Sequence, residues 1–182
     1  MTTKTINRIK LIEENEASDK SKRLLENVKK AFGRVPNVFK MMANSPAVLD
    51  AYLKFSGALK SSKLSSNLAE QIAVFSANKN KCEYCEAVHS FILSDLGASN
   101  EEIKDIRNGV SSDAKTQAML AFSNAVIEKI GKVSDDDLNK IRQAGFSDEE
   151  ILEIVANVSL NILTNSLNNL AEPLLDFPSP EK

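Results

Sequence analysis

Two cysteines three residues apart, Cys82 and Cys85, are followed four residues later by His89, the only histidine in the chain. Glu70 stands twelve residues before Cys82. If Cys82 opens a helix, Cys85 falls at i+3 and His89 at i+7, and all three share one narrow stripe. The two thiols can then form a short-range disulfide, and the imidazole lies one turn from Cys85. A thiol at a helix N-terminus meets unsatisfied backbone N–H groups that favour the thiolate. A thiolate is the nucleophile that a peroxide oxygen needs. The first product is a sulfenic acid, which a neighbouring thiol converts to a disulfide. Glu70 is too far along the chain to touch this stripe within one continuous helix. It reaches His89 only if its own helix folds back against the next one. A carboxylate held there would orient the ring and help relay a proton, and such acid–base assistance is worth roughly 10²–10⁴-fold in rate.

Other chemistries for the same residues are weaker. Two thiolates, an imidazole and a carboxylate make a plausible tetrahedral zinc set, but structural zinc more often uses paired Cys-x-x-Cys elements, and this chain has one. A c-type haem attachment needs His directly after Cys85, where Glu86 stands. A thioredoxin-like redox motif needs a βαβ context that the sequence does not supply. The bland reading makes the cysteines two small core hydrophobes and Glu70 a solvated helix carboxylate. Phe91 fits packing or pocket wall, Met41 and Met42 fit core, and Asp135-Asp136-Asp137 fits a helix start. No metal and no cofactor are expected.

The elements that must position these residues read as helices. Leu24, Leu25, Val28 and Phe32 follow a helical spacing that Gly33 stops. Ser45-Pro46 reads as an N-cap and first turn, opening a helix with Val48, Leu49, Tyr52, Leu53 and Leu59 inward. Further segments run from Leu64 to about Asn78, from Cys82 to Leu96, from Asp113 to Ile130 and from Ile151 to Leu170. Ser99 with Glu102 and Ser147 with Glu150 match capping boxes. Asn78 to Lys81 reads as a polar junction. Period-two strand signals are missing. The expected fold class is all-α, a compact helical bundle of about eight helices. It forms a single domain over 1–182, with an ordered core over 18–173 and an extended or disordered tail over 174–182. At an offset of 83, Glu70, Ser76 and Asn78 fall on Glu153, Ser159 and Asn161, while Cys82, Cys85 and His89 fall on Asn165, Asn168 and Glu172. Such a pattern fits a degenerate internal duplication without the chemistry, and equally fits chance matches among common polar residue types.

Composition narrows the class. With 42% hydrophobic and 26% charged residues over 182 positions, the chain can bury a globular core. Its 23 basic and 25 acidic residues are scattered and contain no basic block, which points away from nucleic acid and anionic membranes. The N-terminal stretch lacks the apolar region of a secretory signal, and no run approaches the roughly 20 residues needed to span a bilayer. The expected compartment is the cytoplasm, where a close cysteine pair suggests redox chemistry more than a structural staple.

Glu70, the twelve-residue interval and Cys82-x-x-Cys85-x-x-x-His89 together resemble the signature of the alkyl hydroperoxidase D and carboxymuconolactone decarboxylase superfamily. Gly33-Arg34-Val35-Pro36-Asn37-Val38-Phe39, followed by Asn44-Ser45-Pro46, is similar to a segment of its peroxidase-related members. The resemblance implies an all-helical homo-oligomer with peroxidase activity on hydroperoxides. Cys85 would be the peroxidatic thiol, Cys82 its disulfide partner, and Glu70 with His89 the proton relay. The helix dipole alone favours Cys82 as nucleophile; the resemblance favours Cys85. A dithiol donor, lipoyl-protein or thioredoxin-like, would recycle the pair. The founding hydroperoxidase carries a second histidine where this chain has Tyr84, which therefore becomes a substrate-pocket candidate rather than a relay member. A decarboxylase-like, lactone-processing enzyme and a non-enzymatic redox sensor are the alternatives.

Overall fold

A computed structural model describes residues 8–178. Nine helices, and no strand, occur among the described residues: α1 (Asp19–Phe32), α2 (Asn37–Met42), α3 (Pro46–Leu59), α4 (Ser66–Lys79), α5 (Glu83–Asp95), α6 (Asn100–Arg107), α7 (Ala114–Lys129), α8 (Asp135–Gln143) and α9 (Asp148–Ala171). The all-α expectation is met. The additional helix is α2, six residues that follow Pro36 without a side-chain cap. It is too short for apolar periodicity to reveal it.

Helix starts are written locally. Ser18, Ser45, Ser65, Ser99, Ser134 and Ser147 each accept a hydrogen bond from a backbone N–H in the first turn, and so does Asp113. These oxygens satisfy donors that the helix leaves orphaned. Capping boxes form at Ser99/Glu102 and Ser147/Glu150 as expected, and a third forms at Ser134/Asp137, within the acidic run. Gly33 ends α1 at φ 72°, a left-handed conformation that glycine adopts without a Cβ clash.

Two apolar clusters divide the packing. The larger joins α4 to α9 through Ile72, Val74, Leu93, Met119, Leu120, Ile154 and Val158, most of them inaccessible to solvent. The second gathers α1, α2 and α3 around Leu25, Val28, Met42 and Leu49, and takes in Ala171 from the end of α9. Burying an aliphatic side chain of this size is worth about 1.5–3 kcal/mol. A small third cluster of Ala77, Cys82, Tyr84 and Cys85 lies beside Val38 and Phe177. The chemistry-bearing residues therefore sit at the seam where α1–α3 meet the α4–α5–α9 layer.

Candidate active site

The seam is shaped by a sharp reversal between α4 and α5. Asn80 and Lys81 close the last turn of α4 by bonding back to Ser76 and Asn78, and the Cys82 N–H reaches the Ala77 carbonyl at 2.9 Å. Lys81 takes φ 55°, an uncommon choice for a residue with a side chain. It is held by what surrounds it: the Asn80 amide donates to Asn165 at 2.8 Å, and Asn169 donates to the Asn80 carbonyl at 2.8 Å. The start of α5 is thus tied to α9, and its first turn is also tied to α6 by the Glu86–Arg107 ion pair at 2.9 Å.

Cys82 caps α5: its Sγ accepts from the Cys85 N–H at 3.2 Å. Cys82 and Cys85 are joined by a disulfide with Cα atoms 5.3 Å apart. Each cysteine is only 2% exposed. The fold-back brings Glu70 of α4 against His89 of α5, with Oε2 at 2.7 Å from Nδ1. A carboxylate on Nδ1 orients the ring and leaves Nε2 as the atom able to take or give a proton.

A cavity of about 480 Å³ opens over this cluster. Cys85, His89, Glu70 and Tyr84 line it, whereas Cys82 does not. All four sequence-predicted chemical residues are therefore in one place, but only one of the two sulfurs faces the space a substrate could occupy. Apolar walls come from Phe39, Leu59, Val88 and Ile92. α9 contributes Asn157, Asn161, Thr164 and Asn168 to the lining.

That α9 stripe was not singled out as a site from sequence. Asn157, Asn161 and Asn168 are buried, and the first two donate to the carbonyl one turn earlier, Glu153 at 2.8 Å and Asn157 at 2.9 Å. Asn168 instead donates from Nδ2 to Cys85 Sγ at 3.2 Å, and its Oδ1 is buried with no hydrogen-bond partner. Two signals could have pointed to it. Asparagines at spacings of four, four and three within an otherwise apolar helix make a polar stripe, and Asn168 is the residue that the offset of 83 pairs with Cys85.

The tail after α9 was also underread. Residues 174–178 form no helix or strand and dock across the seam, while residues 179–182 of the expected tail lie outside the described residues. Asp176 accepts from Arg34 at 2.7 Å, from the Asn37 backbone N–H at 3.0 Å and from the Tyr84 hydroxyl at 2.7 Å. The Asn37 amide holds the Leu174 carbonyl at 2.9 Å. Phe177 packs edge-on to Tyr84, with centroids 6.3 Å apart, and lies under the Arg34 guanidinium at 4.4 Å. Tyr84 is thus a pocket residue that also anchors a strap. Burial, reinforced by the hydrogen bond to Asp176, pushes its phenol well above the ordinary range and keeps it protonated.

Among the described residues no group of three or more His, Cys, Asp or Glu could hold a metal ion, and no helix is long and apolar enough to cross a membrane.

Residues 46–128 match the Carboxymuconolactone decarboxylase family. The fold is similar to a crystal structure described as an alkylhydroperoxidase AhpD core, an uncharacterized peroxidase-related protein from Ralstonia eutropha JMP134. The two are 26% identical over 94% of this chain and 93% of that one, with a TM-score of 0.85. A peroxidase-related protein from Silicibacter sp. TM1040 is similar at 23% identity, over 96% and 94% of the two chains, with a TM-score of 0.82. A cysteine-to-alanine variant of the debrominase Bmp8, in complex with 2,3,4-tribromopyrrole, shares the fold at 16% identity, over 94% and 93%, with a TM-score of 0.78. No curated protein matches the chain by sequence.

Proposed function

We propose that this chain belongs to the alkyl hydroperoxidase D-like and carboxymuconolactone decarboxylase superfamily and is a thiol-dependent peroxidase that reduces organic hydroperoxides. The observation that carries the reading is the single cluster of a cavity-facing Cys85, its disulfide partner Cys82 behind it, and a Glu70–His89 pair on the same cavity wall.

In the reduced protein His89 accepts the Cys85 proton while Glu70 steadies the ring. The Asn168 amide, aimed at Sγ, favours the thiolate because a hydrogen bond to a charged form stabilises that form. The thiolate attacks the distal peroxide oxygen, the O–O bond breaks, and the proton held by His89 passes to the departing alkoxide to give an alcohol. Cys85 is left as a sulfenic acid. The Cys82 thiol attacks that sulfur, expels water and forms the disulfide. An external dithiol then restores both thiols by exchange, and is itself oxidised. Cys85 is assigned as the attacked thiol because access, rather than the helix dipole, separates the two cysteines: only Cys85 borders the cavity. The cysteine pair is what speaks against a lactone-processing decarboxylase.

The test is intact mass and thiol titration of the reduced protein before and after one equivalent of an organic hydroperoxide. Loss of both thiols and of two hydrogens, repeated in each cycle when a dithiol is supplied, is expected. Cys82→Ser should halt at a Cys85 sulfenic acid, and Cys85→Ser should abolish turnover. Full turnover by Cys85→Ser refutes the mechanism. A single stoichiometric oxidation with no cycling in any dithiol would instead make the pair a sensor.

A further inference from the structure

The cavity over Cys85 is far larger than a peroxide group and falls in the range of sites that enclose a whole small ligand. Beyond the Glu70–His89 pair, Lys60 is the one charged side chain that lines it among the described residues. Lys60 caps the C-terminus of α3, and its ammonium lies 5.8 Å from the centre of the Phe32 ring. Its neighbours on either side are neutralised, Lys54 by Asp50 at 2.9 Å and Lys63 by Glu149 at 2.7 Å. Lys60 has no carboxylate partner among the described residues.

Lys60 and Cys85 line the same cavity, and α9 is tied to the segments that carry both. Glu153 accepts from the backbone N–H groups of Lys63 and Leu64 at 3.0 and 2.9 Å, which pins the α3–α4 connection one turn before Asn157. Cys85 touches Asn168. From Asn157 to Asn168 the helix rises about 16 Å. The same cavity is lined by the apolar side chains of Leu59, Val88 and Ile92 and by the amides of α9. The lining therefore combines apolar side chains, a reactive thiol and a lysine without a carboxylate partner among the described residues.

We infer that the preferred substrate is an anionic amphiphile, a long-chain carboxylic acid bearing its hydroperoxide along the chain, with the carboxylate held by Lys60 and the peroxide presented to Cys85. This rests on the thiol-peroxidase reading. The chemistry is unchanged by it: the hydroperoxide becomes the hydroxy acid, the two thiols become the disulfide, water is released, and the carboxylate takes no part in the electron transfer.

The experiment compares kcat/KM for a long-chain fatty acid hydroperoxide with that for its methyl ester. The wild-type protein should favour the acid by about fivefold, the upper reach of a solvent-exposed ion pair, and chiefly through KM. Lys60→Gln should bring the acid-to-ester ratio to about one, and Lys60→Glu should invert it. A wild-type ratio near one, or a preference that survives Lys60→Gln, overturns the inference. Calorimetry on the oxidised protein with the unreactive hydroxy acid separates this from failure of the peroxidase reading. If no hydroperoxide is turned over but the hydroxy acid binds, and Lys60→Gln weakens that binding about fivefold, the anionic subsite stands. If the hydroxy acid does not bind, or binds the variant equally well, the subsite is refuted.

Discussion

Replacing Asp176 by alanine should expose the Cys82–Cys85 disulfide to a macromolecular reductant. Both sulfurs are almost fully covered, and Phe177 and Val38 pack against the cluster that contains them. A dithiol carried on another protein cannot reach a sulfur that a strap overlies, so reduction should follow the fraction of molecules with the strap open. Asp176 is the strap's main fastening. The Arg34 pair is half exposed and contributes little, about 0–1 kcal/mol. The bonds from the Tyr84 hydroxyl and the Asn37 N–H go to a charged acceptor, and such bonds are worth about 1.5–3 kcal/mol each, taken at the low end because Asp176 keeps some solvent contact. Losing them should cost about 2–3 kcal/mol locally, a rise of about 30-fold or more in the open population. The assay is stopped-flow reduction of the oxidised protein by a thioredoxin-like or lipoyl-bearing protein, with dithiothreitol in parallel. The macromolecular rate should rise by one order of magnitude or more, while the small dithiol, which can enter through the cavity, gains much less. Unchanged rates for both reductants would refute the strap as a barrier. Equal acceleration of both would show that the substitution loosens the whole site instead.

Three further outcomes are expected. Glu70→Gln keeps the shape of the contact with His89 but removes its charge, so peroxide-driven loss of the Cys85 thiol should slow by roughly 10²-fold. Helical circular dichroism should stay unchanged, and a rate within a factor of about two of wild type would remove Glu70 from the relay. Alkaline pH should release the strap: the folded Tyr84 phenol is raised, so its contribution is fully present below the unfolded value of 10.0 and is lost as pH climbs above it. A Tyr84 phenolate signal that appears at the same pH in folded and urea-unfolded protein contradicts this. Leu152, Leu163 and Leu170 repeat on one exposed face of α9, and the family resemblance implies self-association. Sedimentation should give a mass above the 20.0 kDa of one chain, reduced toward it by Leu152→Glu with Leu163→Glu, and a monomer at all concentrations would exclude the assembly.

The local sequence determined what depends on near neighbours. Serines before apolar runs start the helices because a side-chain oxygen three residues away satisfies an orphaned N–H. Cys82, Cys85 and His89 lie together because a helical stripe gathers i, i+3 and i+7 whatever the rest of the chain does. Glu70 could be named from its spacing, but its 2.7 Å contact exists only because Lys81 accepts a left-handed conformation and the asparagines of α9 hold the turn. Tertiary structure alone decided the rest. Which sulfur meets the cavity follows from how α5 is rotated against α2 and α9, and no spacing within α5 encodes that rotation. Asp176 is 92 residues from Tyr84 in sequence and 2.7 Å from it in space. A lone aspartate in a Pro-flanked tail carries no periodic signal, because its partners, Arg34 with Asn37 and Tyr84, come from two separate segments that only the folded chain brings it against.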